Sequence, residues 1–247
     1  MIEEILIQRE VLNIITVEYN SYCFLEPRIN SIRKNIRIKK NYVTIINSEE
    51  NEELYKLDLD ENESQVIYKL GNVGYSAAVQ FGVSLVSKTG PADFLVINPD
   101  AELLSFPNDK FKKLPSDIMY FCTSNAQSVR TINLLTSKTS QHKPWKIFFF
   151  KKFFDGPAFF VKGYSQNRRF ASGNFMYFEE LYWQNYFEQS LLSDFCIKHQ
   201  VGGSASNEVQ REIKLSQIRG YLRFIRKKSL FLLLIGVPIS ALRWLIK

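Results

Sequence analysis

Four short apolar stretches, rich in β-branched residues, most constrain how this chain can fold. Each of them predicts a buried strand: Val11–Tyr19, Tyr42–Asn47, Gln65–Leu70 and Phe94–Ile97. The segments between them suit helices, most clearly Ser76–Ser87. Strands that alternate with helices predict an α/β fold, with a mostly parallel central sheet and flanking helices.

The rest of the chain adds weaker structural signals. Ile118–Cys122 and Ile147–Phe154 are further strand candidates, and the acidic residues 50–63 predict an exposed connection. The chain is 45% hydrophobic and 23% charged, which is typical of a globular protein and excludes a disordered one. Its three widely spaced cysteines argue against a disulfide framework and a zinc site. The first residues do not resemble a signal peptide, so a reducing cytoplasm is expected.

Positive charge is concentrated in the last 40 residues. Residues 208–247 hold nine basic and two acidic residues, so their excess of seven positive charges equals that of the whole chain. We therefore expect two units, an α/β domain at residues 1–207 and a basic helical tail at residues 208–247. Such a tail indicates a negatively charged partner surface, either nucleic acid or anionic lipid.

The pattern within the tail favours lipid. Leu215, Ile218, Leu222 and Ile225 recur at helical spacing, with basic residues between them. The apolar run at residues 230–242 would reach about 20 Å as a helix, short of a hydrocarbon core of about 30 Å. We therefore expect the tail to lie in the membrane interface. The alternative is a C-terminal helix packed on the core. Nucleic acid is not expected, because no recognised binding motif accompanies the charge.

A glycine turn, Gly71–Gly74, follows the third predicted strand and precedes the predicted helix. Asn72 lies within it, and Gly74 ends it. A turn of this kind lets a ligand approach the backbone, and the start of a helix offers free N–H groups to phosphate. The chain lacks both the dinucleotide fingerprint and the P-loop pattern. The alternative is a purely structural turn.

An Asn-Pro-Asp turn, Asn98–Asp100, ends the fourth predicted strand. Ligands of open α/β sheets bind at this carboxyl edge. Pro99 stiffens the turn, and Asp100 then offers a carboxylate of the kind that Mg²⁺ or Mn²⁺ requires. The alternative is an Asx-type turn or a helix cap.

Several motifs together resemble family 2 glycosyltransferases, and most of all the bacterial rhamnosyltransferase-like members that build O-antigen and other surface polysaccharides. The matching segments, in the family's order and spacing, are VLNIITVEYNS (11–21), LGNVGYSAAVQFGV (70–83), ADFLVINPDAEL (92–103), DGPAFFVK (155–162), FMYFEELYW (175–183) and IKHQVGGSAS (197–206). The basic helix at 218–228 has a counterpart there too. The resemblance covers roughly residues 11–228.

The resemblance implies a GT-A fold, which is Rossmann-like, with a nucleotide-diphosphate sugar as donor and Mg²⁺ or Mn²⁺ as cofactor. Asp100 matches the family's metal-contacting carboxylate. The other positions that match nucleotide-sugar contacts lie in the turns that follow the predicted strands: Tyr19, Asn20, Asn72, Gly74 and Asn98.

The chain departs from the family pattern at the donor side. Where the family has Asp-Asn after the second strand, this chain has Ile46-Asn47. The resemblance then implies that the nucleoside contact is lost or moved to Asn47 or Ser48. Gln80 also replaces the usual second Asn of the glycine-turn motif.

The resemblance places the catalytic base in an acidic pair. Glu180 matches the family's base, and Glu179 precedes it. Transfer to a hydroxyl needs a carboxylate to accept its proton, and aromatic neighbours can raise a carboxylate pKa toward the working range. The alternative is a helix start, where acids are favoured by the helix dipole. His199 is expected either to reach the metal or to be structural.

The sequence thus predicts an inverting glycosyltransferase. It would transfer a sugar, with rhamnose as the family-level guess, to a polyprenyl-diphosphate-linked saccharide. It would act as a peripheral enzyme on the anionic, cytoplasmic face of a bacterial inner membrane. A degenerate, non-catalytic GT-A domain that binds membrane or a partner transferase is the alternative. A nucleotidyltransferase would need a glycine-rich opening, and residues 11–21 contain no glycine.

Overall fold

The structure is a computed structural model. It describes residues 11–124, 129–133, 139–140, 150–154, 156–165 and 187–199, together with the single residues 219, 222 and 238. Within these ranges the strands, numbered β1 to β11 along the chain, are Val11–Glu18, Lys39–Ile46, Glu63–Lys69, Ala92–Ile97, Ala101–Ser105, Ile118–Ser124, Val129–Asn133, Thr139–Ser140, Phe150–Phe154, Ala158–Tyr164 and Glu188–His199. The four leading strand predictions are confirmed as β1 to β4, with ends that differ by at most three residues.

Eight of these strands form one sheet in the order β3-β2-β1-β4-β10-β6-β11-β5. The first four are mutually parallel. Strand β10 is antiparallel to both β4 and β6, and β11 is parallel to β6 but antiparallel to β5. The fold is therefore α/β as predicted. Six of the eight strands run in one direction, but β10 and β5 run the other way, so the sheet is mixed rather than purely parallel. Strands β5 and β11 carried no recognised sequence signal.

Few helices cover this sheet in the described residues. They are α1 (Leu25–Asn35), α2 (Tyr75–Val86) and the one-turn α3 (Asn108–Phe111), with short 3-10 helices at Tyr22–Phe24 and Glu52–Tyr55. The predicted helix Ser76–Ser87 is confirmed as α2. The strand predicted at Ile118–Cys122 is confirmed as β6. Strand β9 covers the described end of the stretch predicted at 147–154, whose first three residues lie outside the described ranges.

Strands β1, β2 and β4 are buried over most of their length, which explains why these strands are rich in apolar residues. On one face, Ile29 and Ile32 of α1 pack with Leu12 and Ile14 of β1. On the other face, residues of α2 such as Val79 pack with a second set of β1 side chains. The helices thus hold β1 in the middle of the core and leave the ends of the strands for other contacts.

The acidic connection at residues 50–63 is mostly exposed, as predicted, but two of its side chains are buried. Tyr55 is fully buried, and the side chain of Glu63 is 0% exposed. Glu63 opens β3 and accepts hydrogen bonds from Arg33 and Tyr42. These partners come from α1 and β2, which the local acidic composition does not reveal.

The predicted tail lies almost wholly outside the described residues. Residues 219, 222 and 238 have helical backbone, and the remaining tail positions are not among those described. No helix in the described part of the chain is long and apolar enough to cross a membrane. The division at residue 207 and the membrane-binding tail therefore stay predictions.

Candidate functional site

The candidate residues gather at the carboxyl ends of three neighbouring parallel strands. Strands β2, β1 and β4 lie side by side, so the turns that follow them share one edge of the sheet. Tyr19 and Asn20 follow β1, Asn47 follows β2, and Asn98 follows β4. The structure thus brings together candidate residues from three turns that lie far apart in sequence, at the edge where open α/β sheets bind ligands.

Asn47 connects the end of β1 to the glycine turn that follows β3. Its backbone N–H donates to the Glu18 carbonyl at 2.8 Å, and its Oδ1 accepts from the Val73 N–H at 2.9 Å. The side chain is buried, with 4% exposure, as is that of Ser48, with 5%. Asn47 therefore fixes the glycine turn, and its amide oxygen is already engaged by the backbone.

The glycine turn has the backbone that only glycine adopts easily. Gly71 has φ of 65° and Gly74 has φ of 85°, both in the left-handed region. Gly74 is the N-cap of α2 and makes no side-chain capping hydrogen bond. Asn72 and Val73 are exposed at the tip of the turn. This arrangement suits an anionic group that approaches the turn.

Asn98 connects the start of α2 to the end of β4. The Tyr75 hydroxyl donates to its Oδ1 at 3.1 Å, and its own backbone N–H donates to the Pro157 carbonyl at 2.8 Å. Tyr75 is the first residue of α2, directly after Gly74. The glycine turn and the Asn-Pro-Asp turn therefore belong to one hydrogen-bonded assembly, as their common assignment to the donor requires.

Asp100 and His199 meet in space although 99 residues separate them. The His199 Nε2 lies 3.2 Å from the Asp100 Oδ1, and because a carboxylate accepts, the imidazole donates. The two side chains are 20% and 11% exposed, His199 being the more open. Strand pairing explains the contact: in the antiparallel pair β5–β11, His199 lies opposite Ala101, the neighbour of Asp100.

A divalent cation could take the place of the Nε2 proton between these two atoms, so that the pair forms one side of a cation site. Two adjacent ligands of one cation, each bonded at about 2.1 Å, stand roughly 3 Å apart in octahedral geometry, and the observed separation is 3.2 Å. A carboxylate with an imidazole favours Mn²⁺ over Mg²⁺, which prefers oxygen ligands. No third His, Cys, Asp or Glu completes a cluster among the described residues. Substrate phosphate oxygens and water would fill the remaining positions.

A buried ion pair lies beneath the two turns. The Arg28 Nη2 donates to Glu18 Oε1, and the Ser21 hydroxyl donates to Glu18 Oε2 at 2.6 Å. The Arg28 Nη1 donates to the Pro99 carbonyl at 3.0 Å. Burial raises the pKa of Glu18, while Arg28 and Ser21 oppose that rise. With a donor against each oxygen, the geometry is that of an ionised carboxylate.

Glu50 supplies a carboxylate just beyond the end of β2. Its Oε2 accepts from the Ser48 hydroxyl at 3.0 Å and from the Tyr55 hydroxyl at 2.7 Å. Burial and the hydrogen bond to Glu50 raise the pKa of Tyr55, so the phenol stays a donor at neutral pH. The exposed ring of Tyr22 meets Tyr55 edge to face at 6.0 Å. An acid and an aromatic ring therefore lie close to the end of β2.

The predicted catalytic pair lies elsewhere in the chain. Glu179 and Glu180 fall outside the described residues, as do positions 200–206 of the last motif. Their roles stay predictions. The structure describes the first three residues of that motif, Ile197 to His199, which end β11.

Sequence reasoning missed Glu18, Arg28 and Glu50. Two signals pointed to the ion pair. Glu18 is the one acid in an otherwise apolar strand sequence, VLNIITVE, and Arg28 occupies a core position of α1, between Leu25 and Ile29. A charge at a core position indicates a buried partner. Glu50 carried no such signal, because it lies in an acidic run.

Comparison with known proteins adds no family assignment. No protein-family model matches this chain, and no curated protein matches it either.

Proposed function

We propose that this chain is a metal-dependent glycosyltransferase with a GT-A fold, which takes its sugar from a nucleotide-diphosphate donor. The observation that carries the proposal is the Asp100–His199 pair, 3.2 Å apart at the end of β4. This pair lies on the edge where the turns after β1 and β2 also end. The motif resemblance and the mixed α/β sheet support the same assignment.

Each turn has a distinct part in donor binding. The Tyr19–Asn20 turn and Glu50 would hold the nucleoside. The glycine turn, with Gly74 and the start of α2, would hold the diphosphate through backbone N–H groups. Asp100 and His199 would hold a divalent cation, which when bound neutralises negative charge on the departing diphosphate.

Transfer would exchange one bond for another with inversion at the anomeric carbon. The acceptor hydroxyl oxygen forms a bond to that carbon, and the bond to the diphosphate oxygen breaks with its electron pair going to the nucleoside diphosphate. The acceptor proton would pass to a carboxylate, that of Glu180, which follows Glu179 in the chain. The acceptor is proposed to be a polyprenyl-diphosphate-linked saccharide. Attachment of residues 208–247 to the anionic cytoplasmic face of an inner membrane would bring the enzyme to it.

Donor turnover tests this proposal through matched variants. Release of nucleoside diphosphate is measured with Mn²⁺, with and without acceptor lipid, for Asp100→Asn and for the control Glu102→Gln. Glu102 is two residues away and forms a rim ion pair with Lys198 at 3.1 Å, so its variant should behave as wild type. Asp100→Asn should lose turnover by about 10²-fold or more, the effect expected when charge stabilisation of the leaving group is removed.

Two other outcomes have defined meanings. Equal turnover in Asp100→Asn and wild type would remove Asp100 from the site. Mn²⁺-dependent donor binding with no turnover by any acceptor would favour the second candidate, a degenerate GT-A domain. The specific observation behind that candidate is Asn47, whose amide oxygen is already bonded to the Val73 N–H.

A further inference from the structure

Arg28 connects the end of β1 to the Asn-Pro-Asp turn that follows β4, beyond the last paired residues of these two strands, Ile15 and Val96. One guanidinium nitrogen donates to Glu18 at the end of β1, and the other donates to the Pro99 carbonyl at 3.0 Å. The side chains of Arg28 and Glu18 are 2% and 0% exposed. Ser21, which donates to Glu18, also accepts from the Tyr19 backbone N–H at 3.1 Å. A continuous chain of hydrogen bonds therefore runs from the turn after β1 to the Asn-Pro-Asp turn.

Stability alone does not account for this arrangement. Removing two charges from water costs several kcal/mol per ion, and replacing such a pair with apolar residues is often neutral or stabilising. In the described part of the chain, the Arg28 Nε is also buried without a hydrogen-bond partner, which adds a further cost. Departures from good packing of this kind are expected where a site must be held in one geometry.

We propose that Arg28 is a positioning residue, anchored by Glu18, that holds the Asn-Pro-Asp turn so that Asp100 faces His199 in a cation-binding geometry. The bond to the Pro99 carbonyl fixes the peptide plane between Pro99 and Asp100. Rotation of that plane moves the Asp100 carboxylate directly. Within the turn itself, a bond from the Ala101 N–H to the Asn98 carbonyl, 3.2 Å long, is the other described restraint.

The part of this inference that concerns metal binding rests on the proposed function. The part that concerns the Asp100–His199 contact does not depend on it. Groups that orient a metal ligand typically contribute about 10–100-fold in metal affinity. Arg28 reaches Asp100 through the backbone, so an effect of that size is expected at the metal. The Asp100–His199 contact itself should change even when no metal is present.

The test uses the full chain with both charges of the pair removed. The double variant Glu18→Gln/Arg28→Met leaves no uncompensated buried charge. Ile32→Ala is the control, because Ile32 lies on the same helix, is fully buried and has no polar side-chain atom that could bond the turn. Binding of Mn²⁺ alone is measured by electron paramagnetic resonance. The ring signals of His199 are followed by NMR in metal-free protein, which has only two histidines to assign.

The double variant should bind Mn²⁺ about tenfold or more weakly and show shifted His199 ring signals. Ile32→Ala should lower the unfolding midpoint and change neither readout. Wild-type affinity together with unchanged His199 signals in the double variant would overturn the inference.

Two further outcomes are separable. If the wild-type chain binds no Mn²⁺, the proposed function loses its metal site, and the His199 signals alone then decide whether Arg28 positions the pair. If the double variant does not fold, Glu18→Asp replaces it. That change keeps both charges but shortens the anchor by one methylene, so the guanidinium no longer reaches both partners. It should shift the His199 signals, and an unshifted spectrum would overturn the inference.

Discussion

Replacing Glu63 by Gln should destabilise the fold by about 2–3 kcal/mol at neutral pH. The Glu63 carboxylate is fully buried and accepts from the Arg33 guanidinium at 2.7 Å and from the Tyr42 hydroxyl at 2.8 Å. Hydrogen bonds to a charged group contribute about 1.5–3 kcal/mol each. Arg33 is 34% exposed, so solvent screens its share, and Gln retains one acceptor oxygen. The expected loss is therefore that of about one charged hydrogen bond.

The loss should depend on pH in a defined direction. Burial by itself raises the pKa of Glu63, but hydrogen bonds from Arg33 and Tyr42 outweigh it and lower that pKa below its ordinary value. A carboxyl with a lowered folded-state pKa stabilises the protein above its unfolded pKa. That contribution disappears as the pH falls through the folded pKa. The difference between wild type and variant should thus be full at pH 7 and shrink below about pH 4.5.

Urea denaturation at pH 7 and at a series of pH values below 4.5 measures this difference. Glu61→Gln is the matched control, because Glu61 is an exposed acid two residues earlier, and it should change stability by less than about 0.5 kcal/mol. If Glu63→Gln lowers the free energy of unfolding equally at every pH, the ionised carboxylate of Glu63 is not the source of the stability. The same conclusion follows if Glu63→Gln lowers it no more than Glu61→Gln does.

Three further predictions concern packing, catalysis and the membrane. Gly82→Ala should destabilise the fold by about 1 kcal/mol in thermal unfolding. The added Cβ would lie 2.8 Å from the buried Ile15 Cγ2, and this overpacking outweighs the gain in helix propensity. A variant more stable than wild type would contradict this packing. Glu180→Gln should lower turnover by about 10²-fold or more with donor affinity unchanged, and collapse of donor affinity would make it a binding residue. The full chain should sediment with anionic vesicles through residues 208–247, each Lys or Arg near lipid contributing about 1 kcal/mol; complete release by salt would argue against insertion of the apolar run.

The parallel half of the sheet could be predicted because its strands carry their own signal. Strands β1, β2 and β4 are buried over most of their length, so their sequences are rich in apolar and β-branched residues. Strand β11 has a different pattern: it is only partly buried along most of its length and its pairing is interrupted by register shifts, so SLLSDFCIKH lacks a clear alternation. The mixed direction of the sheet depends on such long-range pairings, which local sequence does not encode.

The sequence predicted those parts of the candidate site that lie within single turns. The glycine turn and the Asn-Pro-Asp turn were recognisable because each needs particular residues locally. The pairing of Asp100 with His199 came only through the motif resemblance, since it depends on β5 lying against β11. The Glu18–Arg28 pair joins β1, α1 and the turn after β4, and no spacing rule connects those three elements.

Thermal unfolding with a panel of nucleotide-diphosphate sugars, each with and without Mn²⁺, tests the central claim most directly. A donor present at 100 times its dissociation constant should stabilise the chain by about 2.7 kcal/mol. We expect at least one nucleotide sugar to stabilise the chain by this amount in the presence of Mn²⁺. Both Mn²⁺ removal and Asp100→Asn should abolish the stabilisation. If no nucleotide sugar stabilises the protein, or if stabilisation is the same without Mn²⁺ and in Asp100→Asn, the metal-dependent donor site at the end of β4 is wrong.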